Sequence, residues 1–232
     1  MALCREIRPG IMWVGALDWD RRLFDALIPL PRGTSYNSYL IRGEEKTALI
    51  DAVDESKIEM LLDSLRSQSV EKLDYIIVQH AEQDHSGGLK RLLEQYPKAT
   101  VLGSARSLDL LAEFGLIYEG TGAEAKDGDI IPLGGTSLQF ISAPWVHWPD
   151  TIFTYIPEES ILFTCDFLGS HLASSHLFAS DEADLYLPAK KYYAGIMMPF
   201  RSSVKRHLER IEGLKVEIIA PSHGPIHDRP GM

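Results

Sequence analysis

Short apolar runs alternate with amphipathic stretches along the chain, and this alternation predicts strands and helices in turn. Ile11-Met12-Trp13-Val14 predicts a short strand. The apolar segments 38–42 and 47–51 flank Gly43-Glu44-Glu45-Lys46, which predicts a hairpin. Over 57–66, Ile58, Leu61, Leu62 and Leu65 share one face, as in an amphipathic helix with Ser56 as its N-cap. A strand at 74–78, a helix at 87–95, a strand at 99–102 and a helix at 105–113 follow. The second half predicts strands at 137–142, 151–156 and 160–165, a long helix near 189–211, and a strand at 216–220. No low-complexity tract, fixed-period repeat or linker divides the chain, so residues 1–232 are expected to form one domain. Strand pairs together with strand–helix alternation in both halves predict two sheets packed face to face with helices outside.

The turn after the 74–78 strand carries the chemistry. It reads His80-Ala81-Glu82-Gln83-Asp84-His85, an H-x-E-x-D-H string, followed by Ser86-Gly87-Gly88. At strand spacing His80 and Glu82 point the same way, while Asp84 and His85 fall in the turn, where the backbone can aim them at a second ion. One ion does not need four donors packed this tightly; two adjacent ions do. Three further residues lie just past apolar strands: His147 in Trp145-Val146-His147-Trp148-Pro149-Asp150, Asp166 after Leu162-Phe163-Thr164-Cys165, and His223 in Ala220-Pro221-Ser222-His223-Gly224. Each alone is more readily a packing or turn residue. Together they sit at the ends of strands that converge in space, which is how α/β proteins gather a site from distant segments.

Composition narrows the alternatives. A net charge of -10 disfavours a nucleic-acid partner, which would select a basic surface. The two cysteines, Cys4 and Cys165, cannot build a disulfide framework, a rubredoxin-type iron site or an iron–sulfur cluster. No apolar run is long enough to span a membrane and the N-terminus has no signal-peptide core, so a cytoplasmic location is the default expectation.

The ordered set H-x-E-x-D-H, His147, Asp166 and His223 resembles the metallo-β-lactamase fold, and more specifically the diiron domain of the flavodiiron proteins, which reduce O2 or NO. Gly33-Thr34-Ser35-Tyr36-Asn37-Ser38-Tyr39-Leu40-Ile41, His147-Trp148-Pro149-Asp150, Tyr192-Tyr193-Ala194 and Ala220-Pro221-Ser222-His223-Gly224-Pro225-Ile226 are similar to segments of that family. The resemblance covers nearly the whole chain. It implies an α+β fold, an αββα sandwich of two mixed sheets flanked by helices. It implies two iron ions, one held by His80, Glu82 and His147 and the other by Asp84, His85 and His223. Asp166 and an oxo or hydroxo group would bridge them. In some relatives the residue matching His85 points away, so that ligand is the least secure. A tyrosine of the Tyr192-Tyr193 region is expected near the pocket, with Tyr193 the choice, and His171 is expected to orient ligands or bound gas. His227 lies only four residues past His223, but the family ligand is the histidine of Ser-His-Gly. His207 is expected to be solvated, Trp145 to lie in the core and Trp148 to wall the pocket.

Hydrolytic members of the superfamily usually carry histidine where this chain has Glu82. Neutral imidazole suits zinc. A carboxylate there joins Asp84 and Asp166 to bring three negative charges, which offset the charge gained when iron is oxidised. Zinc has no redox chemistry and gains nothing from the exchange. The resemblance also implies a flavodoxin domain after Ser-His-Gly, whereas this chain ends at Met232 with no FMN-binding loop and no rubredoxin domain. No FMN is therefore expected on this chain alone. The primary expectation is a diiron oxidoreductase that takes electrons from a separate flavoprotein. The alternative is a diiron O2 or redox sensor that holds an adduct and signals through a partner protein; a zinc metallo-hydrolase ranks third. Head-to-tail homodimers occur in the family, although part of that contact uses the additional domain.

Overall fold

The computed structural model describes residues 4–118 and 121–229. The chain opens with β1 (Arg5–Arg8) and β2 (Ile11–Trp13). Next come β3 (Ala16–Asp18), β4 (Leu23–Phe24), β5 (Ile28–Pro29) and β6 (Thr34–Tyr36), which form two ribbons, β3 with β6 and β4 with β5. The first half continues through β7 (Tyr39–Arg42), β8 (Thr47–Ile50), α1 (Ile58–Ser67), β9 (Tyr75–Ile77), α2 (Gln83–Ser86), α3 (Leu89–Gln95), β10 (Thr100–Gly103), α4 (Ala105–Glu113) and β11 (Ala123–Glu124). Its sheet runs in the order β1-β2-β7-β8-β9-β10-β11. Pairing is antiparallel as far as β8 and parallel from there on. The second half comprises β12 (Ile130–Pro132), β13 (Ser137–Ser142), β14 (Ile152–Ile156), β15 (Ile161–Cys165), α5 (Tyr186–Tyr192), α6 (Arg201–Ile211) and β16 (Ile218–Pro221). These strands pair in sequence order, antiparallel except for the parallel β15–β16 pair.

Three apolar clusters define four layers. Between the sheets lie Trp13, Tyr39, Ile41, Ile50 and Ile77 from one side and Phe140, Ile152, Phe163 and Ile218 from the other. Behind the first sheet, Leu49, Ile76 and Val78 meet Ile58, Leu61 and Leu65 of α1 and Leu89, Leu92 and Leu111. Behind the second, Ile141, Phe153 and Leu162 meet Tyr192, Met197 and Val204. Alternate residues of one strand, such as Leu49 and Ile50, thus enter different cores, which is why these strands are apolar throughout rather than half polar. Each fully buried Leu, Ile or Phe contributes about 1.5–3 kcal/mol of transfer free energy. The result is the expected αββα sandwich of two mixed sheets flanked by helices.

Local departures from the sequence reading have physical reasons. Ser56 is not the cap of α1: Asp54 caps a preceding 3-10 turn at Glu55–Lys57, its carboxylate accepting from Ser56 N, and α1 follows Lys57 without a side-chain cap of its own. The long helix expected near 189–211 is broken into α5, a π turn at Tyr193–Met197, a 3-10 turn at Met198–Phe200, and α6. Pro199 lacks the N–H that a continuous helix needs there. Gly87 and Gly88 have ordinary helical backbone angles. Their need is space: a Cβ on Gly88 would stand 2.3 Å from Ala52 O, and one on Gly87 2.5 Å from Gln83 O.

Buried polar contacts tie the two sheets together beside the last strand. Asn37 Nδ2 donates to Pro221 O and Gly224 O at 2.7 and 2.8 Å, and its Oδ1 accepts from Trp13 Nε1 at 2.9 Å. Tyr39 Oη donates to Pro221 O at 2.6 Å. The segment 221–224 is thereby fixed before any site chemistry is considered.

Candidate metal centre

Five strand ends meet at one edge of the sandwich. Asp51 follows β8, His80 to His85 follow β9, His147 follows β13, Asp166 follows β15, and His223 follows β16. Seven side chains converge there. His80, Glu82, His147 and Asp166 form one group of donor atoms, and Asp84, His85 and His223 form another, each within 4.8 Å. Glu82 Oε2 lies 3.0 Å from His80 Nε2 and 3.3 Å from His147 Nε2. Asp84 Oδ2 lies 3.0 Å from His223 Nε2, and Asp84 Oδ1 lies 3.5 Å from His85 Nε2.

Asp166 faces both groups. Its Oδ2 stands 3.5 Å from His147 Nε2 and 3.8 Å from His80 Nε2. Its Oδ1 stands 3.2 Å from His223 Nε2 and 3.3 Å from His85 Nε2. One carboxylate therefore presents one oxygen to each triad. His85 points into the cluster.

Outer partners fix the imidazoles. Asp150 Oδ1 lies 3.0 Å from His80 Nδ1, while Asp150 Oδ2 accepts from Ala81 N at 2.7 Å. Asp51 Oδ2 lies 3.2 Å from His85 Nδ1 and accepts from Ser222 Oγ at 2.8 Å. Ser35 O accepts from His223 Nδ1 at 2.7 Å. A carboxylate or carbonyl only accepts, so each Nδ1 donates and each Nε2 lone pair is directed inward. This is the arrangement in which histidines bind metals.

The cluster's electrostatics call for added positive charge. Both oxygens of Asp84, Asp166 Oδ2 and His85 Nε2 are buried without a hydrogen-bond partner among the described residues. Orphaned acceptors in a sealed site are costly unless a cation satisfies them. Burial disfavours the charged form of His80, but the hydrogen-bonded Asp150 and Glu82 carboxylates outweigh it and raise its pKa to about 9. Burial likewise opposes charge on His147 and His223, yet Asp166 with Glu82, or Asp166 with Asp84, lifts them to about 10 and about 9. Asp166 is held well below the carboxylate range: burial alone would raise it, and the charges of His85, His147 and His223 prevail. A bound cation would take the place of these protons. A set of three carboxylates and four imidazoles around two adjacent positions fits a pair of first-row metal ions.

The expected catalytic groups are placed differently. Tyr193 is 43% exposed, outside the cluster, whereas the buried Tyr192 donates its hydroxyl to Asp166 Oδ1 at 2.7 Å. In the sequence the two tyrosines are adjacent, and only the π turn that begins at Tyr193 decides which faces inward. His171 packs on the centre without entering it. Its ring lies 5.0 Å from that of His223, and its Nδ1 is 2.9 Å from Thr34 Oγ1. Burial, then the charge of His223, lowers its pKa to about 3, so it stays neutral. His227 bonds Leu168 O and stands apart from the cluster. His207 is buried and bonds Pro144 O rather than meeting solvent. Trp145 is half exposed rather than core, while the Trp148 ring lies 4.8 Å from that of His80. Sequence reasoning does not single out Asp51, Asp150 or Ser35, and of the two tyrosines it prefers Tyr193 to Tyr192. Asp51 and Asp150 carry a signal that could have found them: each is an acid beside the end of a buried strand.

The chain is similar to several known proteins. Residues 34–224 match the model of the ODP family beta lactamase. A nitric oxide reductase of Moorella thermoacetica is 42% identical over 227 residues, covering 95% of this chain and 56% of that protein. The flavodiiron protein of Giardia intestinalis superposes with a TM-score of 0.93 at 30% identity, over 98% of this chain and 56% of the other. The rubredoxin oxygen:oxidoreductase of Desulfovibrio gigas also gives a TM-score of 0.93, at 29% identity, over 98% and 58%. The chain spans about half the length of the curated relatives it matches. Its fold, its converging donors and these similarities show that it belongs to the ODP family of β-lactamase-like domains and corresponds to the metallo-β-lactamase-like diiron domain of the flavodiiron proteins.

Proposed function

We propose that this domain is a non-haem diiron module that binds O2 or NO and reduces it with electrons from a separate redox protein. Its metal ligands are His80, Glu82, Asp84, His85, His147, Asp166 and His223. The reading is carried by the two-sided Asp166 carboxylate between two donor triads. The names of relatives that reduce nitric oxide or oxygen support the substrate class. A bound iron pair supplies two electrons and open positions for a diatomic ligand.

The chain's own residues set the conditions for that chemistry. Glu82 adds a hard anionic donor at the outer triad, which favours the oxidised metal over a redox-inert one. Tyr192 keeps its proton, because burial raises its pKa and the charge of Asp166 raises it further. Its hydroxyl therefore donates steadily to Asp166 Oδ1 and withdraws charge from that oxygen. Tyr192 is a positioning residue in this scheme, and neutral His171 is a wall that excludes water. Glu82 and His147, with side chains 13% and 16% exposed, are the cluster members that reach solvent, so an electron donor approaches over them.

The test is elemental analysis of protein loaded without metal bias, followed by stopped-flow mixing of the reduced form with O2 and with NO. Two irons per chain and rapid reoxidation are expected. Two zincs with no iron would end the proposal. A gas adduct that persists without turnover would turn the reading to a sensor.

A further inference from the structure

Five of the seven clustered donors have sealed side chains, and Glu82 and His147 are the two that are partly open. Asp84, Asp166, His85 and His223 are exposed by 4% or less. The opening over Glu82 and His147 serves this inner triad poorly, and a redox protein seated there would cover it. Behind the inner triad the chain leaves a cavity of about 500 Å3. Its floor is His171 and Tyr192, and its walls include Ile28, Leu30, Leu187 and Pro188.

The floor is one side chain thick. The His171 ring lies 5.0 Å from the His223 ring, and the Tyr192 hydroxyl is bonded to Asp166. Phe24 packs 4.6 Å from His171 and 6.3 Å from His223, and Tyr192 lies 4.9 Å from His171. Three aromatic rings thus form a collar between the cavity and the donors. His171 Nε2 is buried there with no hydrogen-bond partner among the described residues. Arg32, Asp184 and Lys191 also line the cavity, but the aromatic collar itself offers an ionic solute little, whereas an apolar gas passes into it favourably.

We propose that this cavity is an uptake site for apolar diatomic gas, which reaches the Asp84–Asp166–His223 side of the centre through the Phe24–His171–Tyr192 collar. The inference rests on the diiron reading and deepens it: gas and electrons enter by different faces. Tyr192 also lines a second apolar cavity of about 350 Å3, on the side of Phe167 and Leu208, which provides a control.

Crystals of the metal-free protein pressurised with xenon test the cavity itself. Xenon is expected against Leu30 and Leu187, and Ala183→Phe, a substitution at an exposed residue of the lining, is expected to expel it. In the iron-loaded reduced protein, Ala183→Phe should slow the bimolecular reaction with O2 or NO about tenfold, while Leu208→Trp leaves it within about twofold. Absence of xenon from this cavity overturns the proposal whether or not the protein takes up iron. So does an unchanged rate in an Ala183→Phe protein that has lost its xenon. A protein that holds only zinc would instead overturn the diiron reading, with the xenon result still reporting on the cavity.

Discussion

At the scale of single residues, Glu82 and Tyr192 carry the most consequence. Glu82 Oε2 sits between His80 and His147, so the outer triad holds a carboxylate where an imidazole would suit zinc. Glu82→His is expected to shift occupancy from iron toward zinc and to suppress reaction with O2, read by elemental analysis and stopped-flow. Retained iron with unchanged reactivity would refute the charge argument. The tyrosine pair offers a sharper contrast. Tyr192→Phe removes the bond to Asp166 and should lower metal affinity or turnover by about tenfold, the usual scale for an outer partner of a metal ligand. Tyr193→Phe, at a half-exposed position, should leave both unchanged. Equal effects of the two, measured by metal competition titration, would mean that the Tyr192 bond has no part in holding the centre.

At the scale of elements, α2 is the part on which two of the proposed ligands, Asp84 and His85, depend. It is one turn long, and it is held by Ala52 N donating to His85 O at 2.6 Å and by Gly88 N donating to Val53 O at 3.1 Å. The close approach of the 52–55 segment leaves no room for a Cβ on Gly88. Gly88→Ala is therefore expected to cost about 1–3 kcal/mol, the range for overpacking a tight site. Because the clash displaces the turn bearing Asp84 and His85, it should also lose roughly one metal of two. Thermal unfolding together with metal content checks this; full metal content at normal stability would show that the turn yields without harm.

At the scale of the whole molecule, the buried histidine–carboxylate cluster couples stability to pH. His80, His147 and His223 have pKa values of about 9, about 10 and about 9 in the metal-free fold, above the ordinary 6.5. Groups raised on folding stabilise fully below their unfolded value and lose that contribution as pH rises through the folded value. The melting temperature of chelated protein should accordingly fall between pH 7 and pH 10, more than that of metal-loaded protein, in which cations replace these protons. Parallel melting curves of the two forms across this range would contradict the scheme.

Much of the fold and most of the site were legible in the chain itself. The H-x-E-x-D-H string, His147, Asp166 and His223 each follow a run apolar enough to be a buried strand, and strand ends in packed sheets converge. The alternate burial of Leu49 and Ile50 in two cores follows from the same runs. What the sequence did not determine depends on contacts between distant segments. Asp150 reaches His80 across 70 residues, Asp51 reaches Ser222 across 171, and no local pattern encodes either pairing. The choice between Tyr192 and Tyr193 turned on a single π turn, since neighbouring helical residues differ by about 100° in direction and one residue of slippage exchanges them. Sequence thus determined which donor side chains come together; only tertiary packing decided which neighbours orient them and which tyrosine faces inward.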